Sequence, residues 1–262
     1  LLAYTIEKHE TSREWVVLLH GLGGNHTIFY KQKKDLAKSY NLLMIDFPGH
    51  GASKSIPNNT AELVAKEVIH VLDELKLQQV HIVAFSLGTI IANELLYLIP
   101  SRIKSLVKAG AIIQWSSWSG FLLKLAYKLR FLAPYMTFYK LFAFLMMPKS
   151  NHQRSRDIFI REAAKMGRKE FIKWAKLVTT PIKSYEKSIK NNNTIRKLYI
   201  LGKEDHMFIQ SATNAAERDQ FSELELIENS GHVCIIEKPE QVNKLILSFL
   251  GEAPELEKER VS

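Results

Sequence analysis

A serine, an aspartate and a histidine stand at the ends of three separate apolar runs, in that chain order, and a glycine-rich segment closes a fourth. Val80-His81-Ile82-Val83-Ala84 leads into Phe85-Ser86-Leu87-Gly88. Leu198-Tyr199-Ile200-Leu201 leads into Gly202-Lys203-Glu204-Asp205, and Leu224 to Ile227 precedes Ser230-Gly231-His232. Trp15-Val16-Val17-Leu18-Leu19 runs into His20-Gly21-Leu22-Gly23-Gly24. A serine hydroxyl is a poor nucleophile at neutral pH. It needs a base within hydrogen-bond reach and a third group to orient that base. Ser86, His232 and Asp205 are the candidates for these three roles. Ala84 and Gly88, two positions either side of Ser86, are small enough to let the chain turn sharply and expose the hydroxyl. A helix following directly would add the positive end of its dipole. Charge that develops on a carbonyl oxygen in acyl transfer needs N–H donors, and the backbone groups of Leu22 and Leu87 are the candidates.

Each segment also has a plainer reading. A serine before a helix is most often a cap, a glycine-rich segment is often only a tight turn, and Glu204 rivals Asp205 as the acid. The presence of all four segments at run ends favours the catalytic reading. Phe85, Gly21, Trp115 and Phe208, beside these motifs, are the candidate substrate contacts. His20, His50 and His206 read as structural. His9, His26, His70, His81 and His152 take no role.

The positioning elements follow from apolar periodicity. Leu42 to Ile45 and Leu106 to Ile113 add two further runs. Runs this apolar suit strands covered on both faces, as in a mostly parallel sheet. Thr60 to Leu75 has a helical pattern with Thr60 as its cap. Gly88 to Leu98 is a helix that follows Ser86, and Pro239 opens a last helix through Leu250. Alternating strands and helices predict a doubly wound α/β sheet, whose site lies at the carboxyl ends of the strands. Residues 114–194 interrupt this alternation. Ser119 to Met147 reads as two helices hinged at Pro134, dense in large apolar side chains and interrupted by lysines and Arg130. Ser155 to Val178 reads as one amphipathic helix, with Phe159, Met166, Phe171, Trp174 and Leu177 on its apolar side. The expected organisation is a core over 1–113 and 195–251, an all-helical lid over 114–194, and a polar tail over 252–262.

With these residues in view, the chain resembles the α/β-hydrolase superfamily in its lidded, esterase-like branch. The resemblance covers residues 14–113 and 197–250. It includes Asp46-Phe47-Pro48-Gly49-His50-Gly51-Ala52-Ser53, similar to the family's Asp-x-x-Gly-His-Gly-x-Ser loop, and Gly231-His232 followed by Glu237, Pro239 and Glu240. It implies a Ser86–Asp205–His232 triad and an oxyanion hole at Leu22 and Leu87, without metal or organic cofactor. Two departures stand out. Ala84 replaces the first glycine of the usual Gly-x-Ser-x-Gly, and Asn191 to Lys197 lacks a proline often found there. A serine at position 86 argues against the dehalogenases and epoxide hydrolases of this fold, which use an aspartate.

Composition sets outer bounds. The chain has 262 residues, 46% of them apolar and 10% aromatic, enough for a full-sized core. The net charge is +9, and residues 114–194 hold 16 Lys and Arg against four acids, so the excess lies in the helical segment. No nucleic-acid motif accompanies it. A solvated basic face is the first reading, and a weak peripheral association with anionic membrane the second. The single cysteine, Cys234, fits a reducing compartment. No cleavable leader is visible, and a cytoplasmic protein is expected. The expected activity is a serine carboxylesterase acting on a small apolar acyl substrate, with the oligomeric state open. The alternatives are a carbon–carbon bond hydrolase or MenH-like lyase with the same triad, a small-molecule receptor on this fold, and a peripheral membrane lipase.

Overall fold

Among the described residues the six apolar runs become strands β2 (Trp15–Leu19), β3 (Asn41–Ile45), β4 (Val80–Phe85), β5 (Ile103–Ala109), β6 (Arg196–Gly202) and β7 (Ser222–Ile227), and the half-buried β1 (Tyr4–Glu7) precedes them. The computed structural model describes residues 2–129, 134–190 and 194–251. The strands form one sheet in the order β1-β3-β2-β4-β5-β6-β7. Only β1 runs antiparallel to its neighbour, and each remaining pair is parallel. Every residue of β3 and β4 is buried, as expected for central strands covered on both faces.

Helices supply the cover. They are α1 (Tyr30–Leu36), α2 (Ala61–Glu74), α3 (Leu87–Leu98), α4 (Ser117–Leu129), α5 (Tyr135–Met146), α6 (Gln153–Met166), α7 (Arg168–Val178), α8 (Ile182–Lys190), α9 (Ile209–Glu217), α10 (Cys234–Glu237) and α11 (Pro239–Gly251). The alternation along β6 shows the two covered faces. Tyr199 and Leu201 join Ala212, Ala215 and Ala216 of α9, whereas Leu198 and Ile200 belong to the main core with Ile246 and Phe249 of α11. The result is a doubly wound α/β sheet, as its pattern predicts. Thr60 caps α2 by accepting a hydrogen bond from the Leu63 N–H at 3.1 Å.

Two local expectations need correction. The apolar run 106–113 is not all strand. β5 ends at Ala109, and the chain then leaves the sheet, with the Ile112 N–H bonded to Thr89 Oγ1 at 3.1 Å. Ile112 is apolar because it lines the cavity, and Ala111 and Ile113 because they pack with Tyr199, Leu201 and the alanines of α9. The helix expected over 155–178 is two helices. Gly167 separates them with φ 79° and ψ 159°, a conformation open to glycine and incompatible with a continuing helix. Helix α8 packs on α3, with Ser184 and Ser188 buried and Ser184 Oγ donating to Glu94 Oε1 at 2.9 Å. Pro134 does stand at the start of α5. Arg130, the apolar Phe131 and Leu132, and the polar tail 252–262 lie outside the described residues. Among the described residues five helices, α4 to α8, thus lie between β5 and β6, and no described helix is long and apolar enough to cross a membrane.

Candidate active site

Parallel β2, β4, β5 and β6 end on the same edge of the sheet, which brings the motif segments together. Ser86 sits between β4 and α3 with φ 52° and ψ −118°. A non-glycine residue at positive φ stores roughly 1–3 kcal/mol of strain. The close approach of α3 to β2 holds the turn in place. A Cβ at Gly88 would lie 2.2 Å from the Leu19 carbonyl oxygen, so a side chain there would push helix and strand apart. Ala84 lies within β4 and is wholly buried, so the extra methyl is absorbed by the core.

From β6 comes Asp205, fully buried, and from the loop after β7 comes His232, also buried. His232 Nδ1–H donates to Asp205 Oδ2 at 2.7 Å. That bond fixes the tautomer, so Nε2 is free to accept from the Ser86 hydroxyl at 2.8 Å. Asp205 Oδ1 is buried without a hydrogen-bond partner among the described residues, which leaves the imidazole as the carboxylate's side-chain partner. Such a chain can draw the proton from a hydroxyl as it attacks an electrophile. The rings of Phe85 and Phe208 pack beside the imidazole, with centroids 5.6 and 5.2 Å away.

The loop after β2 lies against the serine. A Cβ at Gly21 would stand 3.2 Å from Ser86 Cβ. Among the described residues no acceptor bonds to the N–H groups of Leu22 or Leu87. Leu87 follows Ser86 as the first residue of α3, and Leu22 lines the same cavity as Ser86. Two histidines hold the loop. The Phe47 N–H donates to His20 Nε2 at 2.9 Å, and His20 Nδ1–H donates to the Gly21 carbonyl at 2.8 Å. The Gly23 N–H donates to His50 Nε2 at 3.1 Å, and His50 Nδ1–H reaches the Pro48 carbonyl at 3.2 Å. Burial pushes the His20 pKa down to about 4. Burial, then the neighbouring His20, holds His50 well below its ordinary value. Both rings are therefore neutral and serve as bridges. Asp46 anchors the same region, taking hydrogen bonds from the His26 N–H at 2.8 Å and the Ala52 N–H at 3.0 Å.

Glu204, the rival acid, points elsewhere. It bonds Lys149 Nζ at 2.7 Å, Asn151 Nδ2 at 3.1 Å and His152 Nε2 at 2.7 Å. Lys149 first, with Asn151, holds its carboxyl down to about 2. Glu237 forms a second tie to the helical segment. It accepts from the Gly231 N–H at 2.6 Å and from Ser155 Oγ at 2.6 Å. His206 is exposed and stacks on Trp118 at 5.8 Å.

A cavity of about 220 Å³ contains Ser86 and His232. Trp115 and Phe208 line it. Phe85 and Gly21 do not, because the Phe85 ring is buried beneath Gly21 and His232. They border instead a wider cleft of about 900 Å³ between the 21–30 loop and α6. Sequence reasoning missed Tyr139, which lines the cavity and stacks on Phe159 at 4.9 Å. Its hydroxyl is 3.5 Å from the Leu22 carbonyl. It stands at the centre of an apolar run, where periodicity marks a ring for burial without saying against what. Arg168 is the one cation lining the cavity among the described residues.

A sequence profile described as the alpha/beta hydrolase fold matches residues 14–239. The chain belongs to the α/β-hydrolase family. Among its curated relatives, a pimeloyl-[acyl-carrier protein] methyl ester esterase of Aeromonas salmonicida is 32% identical over 98 residues, covering 37% of each chain. A 2-hydroxy-6-oxononadienedioate/2-hydroxy-6-oxononatrienedioate hydrolase of Cupriavidus pinatubonensis is 34% identical over 103 residues, covering 37% of this chain and 36% of that one. The chain thus spans little more than a third of the length of these relatives. A hydrolase from Pseudomonas aeruginosa superposes with a TM-score of 0.81 over 96% of this chain and 94% of that one, at 21% identity. That likeness is one of fold.

Proposed function

We propose that this α/β hydrolase is a serine carboxylesterase acting on apolar acyl groups. The observation that carries the reading is the Asp205–His232–Ser86 chain at the floor of an apolar cavity. His232 Nε2 takes the Ser86 proton as Oγ bonds to the ester carbonyl carbon. The oxyanion of the tetrahedral intermediate accepts hydrogen bonds from the Leu22 and Leu87 N–H groups, and the imidazolium is steadied by Asp205. His232 then returns the proton to the leaving alcohol, and the acyl group remains on Ser86. Water, deprotonated by the same imidazole, displaces it and restores the hydroxyl. Helices α4 to α7 act as a lid whose cavity-lining side chains, Phe138, Phe142, Leu145 and Phe171 among them, receive the acyl chain.

The cavity favours an apolar ester over the dianionic substrates that the Cupriavidus enzyme's name describes. Arg168 is the single cation along it among the described residues, and the second carboxylate of such a substrate would lack a partner there. Its volume of about 220 Å³ falls below the roughly 300–1,000 Å³ usual for drug-sized ligands, so a short to medium acyl chain fits best. A p-nitrophenyl ester series tests this. Butyrate and hexanoate are expected to exceed acetate in kcat/KM, and a maximum at acetate contradicts the reading.

A further inference from the structure

The outer face of the helical segment combines two features that seldom coincide on a solvated surface. Among the described residues nine large apolar side chains are exposed. Five of them, Trp118, Phe121, Leu125, Leu141 and Phe144, lie on α4 and α5. Phe121 and Leu141 are 64% and 58% exposed, and their clustering goes beyond the singly scattered apolar side chains of an ordinary surface. The second feature is charge. Neither helix contains an Asp or Glu, and the sequence has none between Glu94 and Asp157. Lys128 and Lys140 stand exposed among the apolar side chains.

We propose that the α4–α5 face docks on an anionic lipid bilayer. Aromatic and leucine side chains insert at the boundary between headgroups and acyl chains, and flanking lysines draw the face to negative lipid. The absence of carboxylates leaves nothing on these helices for such a surface to repel. A second copy of the chain fits less well, because a twofold contact would set lysine against lysine. The geometry also gives docking a purpose. Leu125 and Leu141 are both exposed and part of the cavity wall, so the mouth of the cavity opens on the face that meets the membrane. An ester dissolved in the bilayer would reach the cavity without crossing water. This last point rests on the esterase reading, whereas the docking itself does not.

The test uses the full chain carrying Ser86→Ala, so that binding is measured without turnover. Co-sedimentation is run with vesicles of phosphatidylcholine alone and with about 30% phosphatidylglycerol at low salt, a composition chosen to give a negative surface. Binding is expected on the anionic vesicles only, with release as salt shortens the range of the attraction. Phe121→Asp with Phe144→Asp is expected to weaken partitioning roughly tenfold or more, and Lys128→Glu with Lys140→Glu to abolish the preference for anionic lipid. Each variant's thermal midpoint is measured to show that it remains folded. Absence of binding to anionic vesicles at low salt overturns the proposal, as does equal binding to neutral ones. Concentration-dependent dimerisation lost in the Phe121→Asp, Phe144→Asp variant also overturns it, since a second copy would then cover the face. If vesicles bind but wild-type enzyme turns over no ester, the esterase reading fails and the docking surface stands. If esters are turned over but vesicles do not bind, the docking surface fails and the esterase reading stands.

Discussion

The N–H of Gly23 donates to Nε2 of His50 at 3.1 Å, so the loop after β3 holds the loop after β2 against Ser86. Together with His20, this makes two neutral imidazoles part of the scaffold beneath the proposed oxyanion donors. The arrangement works only while both rings are unprotonated, since a protonated Nε2 can no longer accept a backbone N–H.

Acid stability follows from that requirement. The pKa of His20 falls from about 6.5 in an unfolded chain to about 4 in the fold. Between those values the unfolded state binds a proton that the native state does not, so stability rises with pH across this window and is flat above it. The loss from pH 7 to pH 4 is on the order of 3 kcal/mol for this one group. Urea midpoints between pH 7.5 and 4.5 are expected to fall in wild type. His20→Asn should start lower but show a shallower slope, and parallel slopes would contradict the bridge role.

Lys108 is a second buried titratable group, and it plays no part in the proposed chemistry. Burial, then Lys197, lowers its pKa to about 7, and its Nζ donates to Tyr199 Oη at 3.0 Å. Here too the unfolded chain binds the proton more tightly, so stability rises as pH climbs from 7 toward about 10. Lys108→Met removes the group at the cost of one hydrogen bond to Tyr199. The expected result is a variant at least as stable as wild type at pH 7, without the gain between pH 7 and 9. A variant that keeps the full gain would refute the assignment.

Gly88 sets two effects against each other. Alanine in a helix is ordinarily better than glycine by about 1 kcal/mol. At this position a Cβ meets the Leu19 and His20 carbonyl oxygens at 2.2 and 2.9 Å, and overpacking of backbone against backbone costs about 1–3 kcal/mol. The clash wins. Gly88→Ala is expected to lower the thermal midpoint by about 2–4 °C per kcal/mol and to reduce kcat by displacing Ser86 and Leu87. Gly120→Ala, whose added Cβ meets only Trp115 Cβ at 3.5 Å, should leave the midpoint unchanged or raise it.

The two neighbouring carboxylates separate orientation of the base from attachment of the helical segment. Asp205→Asn is expected to reduce kcat roughly 10³- to 10⁴-fold, because the amide favours the wrong imidazole tautomer. Glu204→Gln breaks the ties to Lys149 and His152 and leaves His232 untouched, so less than a tenfold loss is expected. Equal losses would mean that the carboxylate acts through the helical segment and not through the imidazole.

The strand ends and the three converging side chains were legible because parallel strands with both faces covered read as unbroken apolar runs, and the polar residues that end them stand out. The same logic misplaced β5. Ile112 lines the cavity, and Ala111 and Ile113 pack beyond the strand's end against α9, so all three are as apolar as a strand. Gly167 divides α6 from α7, yet an isolated glycine in a helical pattern is commonly tolerated, so composition alone does not mark the break. Phe85 shows a further limit. Its place beside Ser86 suggests a substrate contact, whereas strand alternation turns its ring beneath the imidazole. Tyr139 and the ties from Glu204 and Glu237 to the helical segment join residues far apart in the chain, and one sequence carries no local signal for them.

The most direct measurement of the central claim is intact-protein mass spectrometry after exposure to a fluorophosphonate, with peptide mapping of the adduct. The account predicts a single adduct on Ser86, absent in Ser86→Ala and strongly slowed in His232→Ala. Failure of folded wild type to react, or an adduct of unchanged yield in Ser86→Ala, would contradict it.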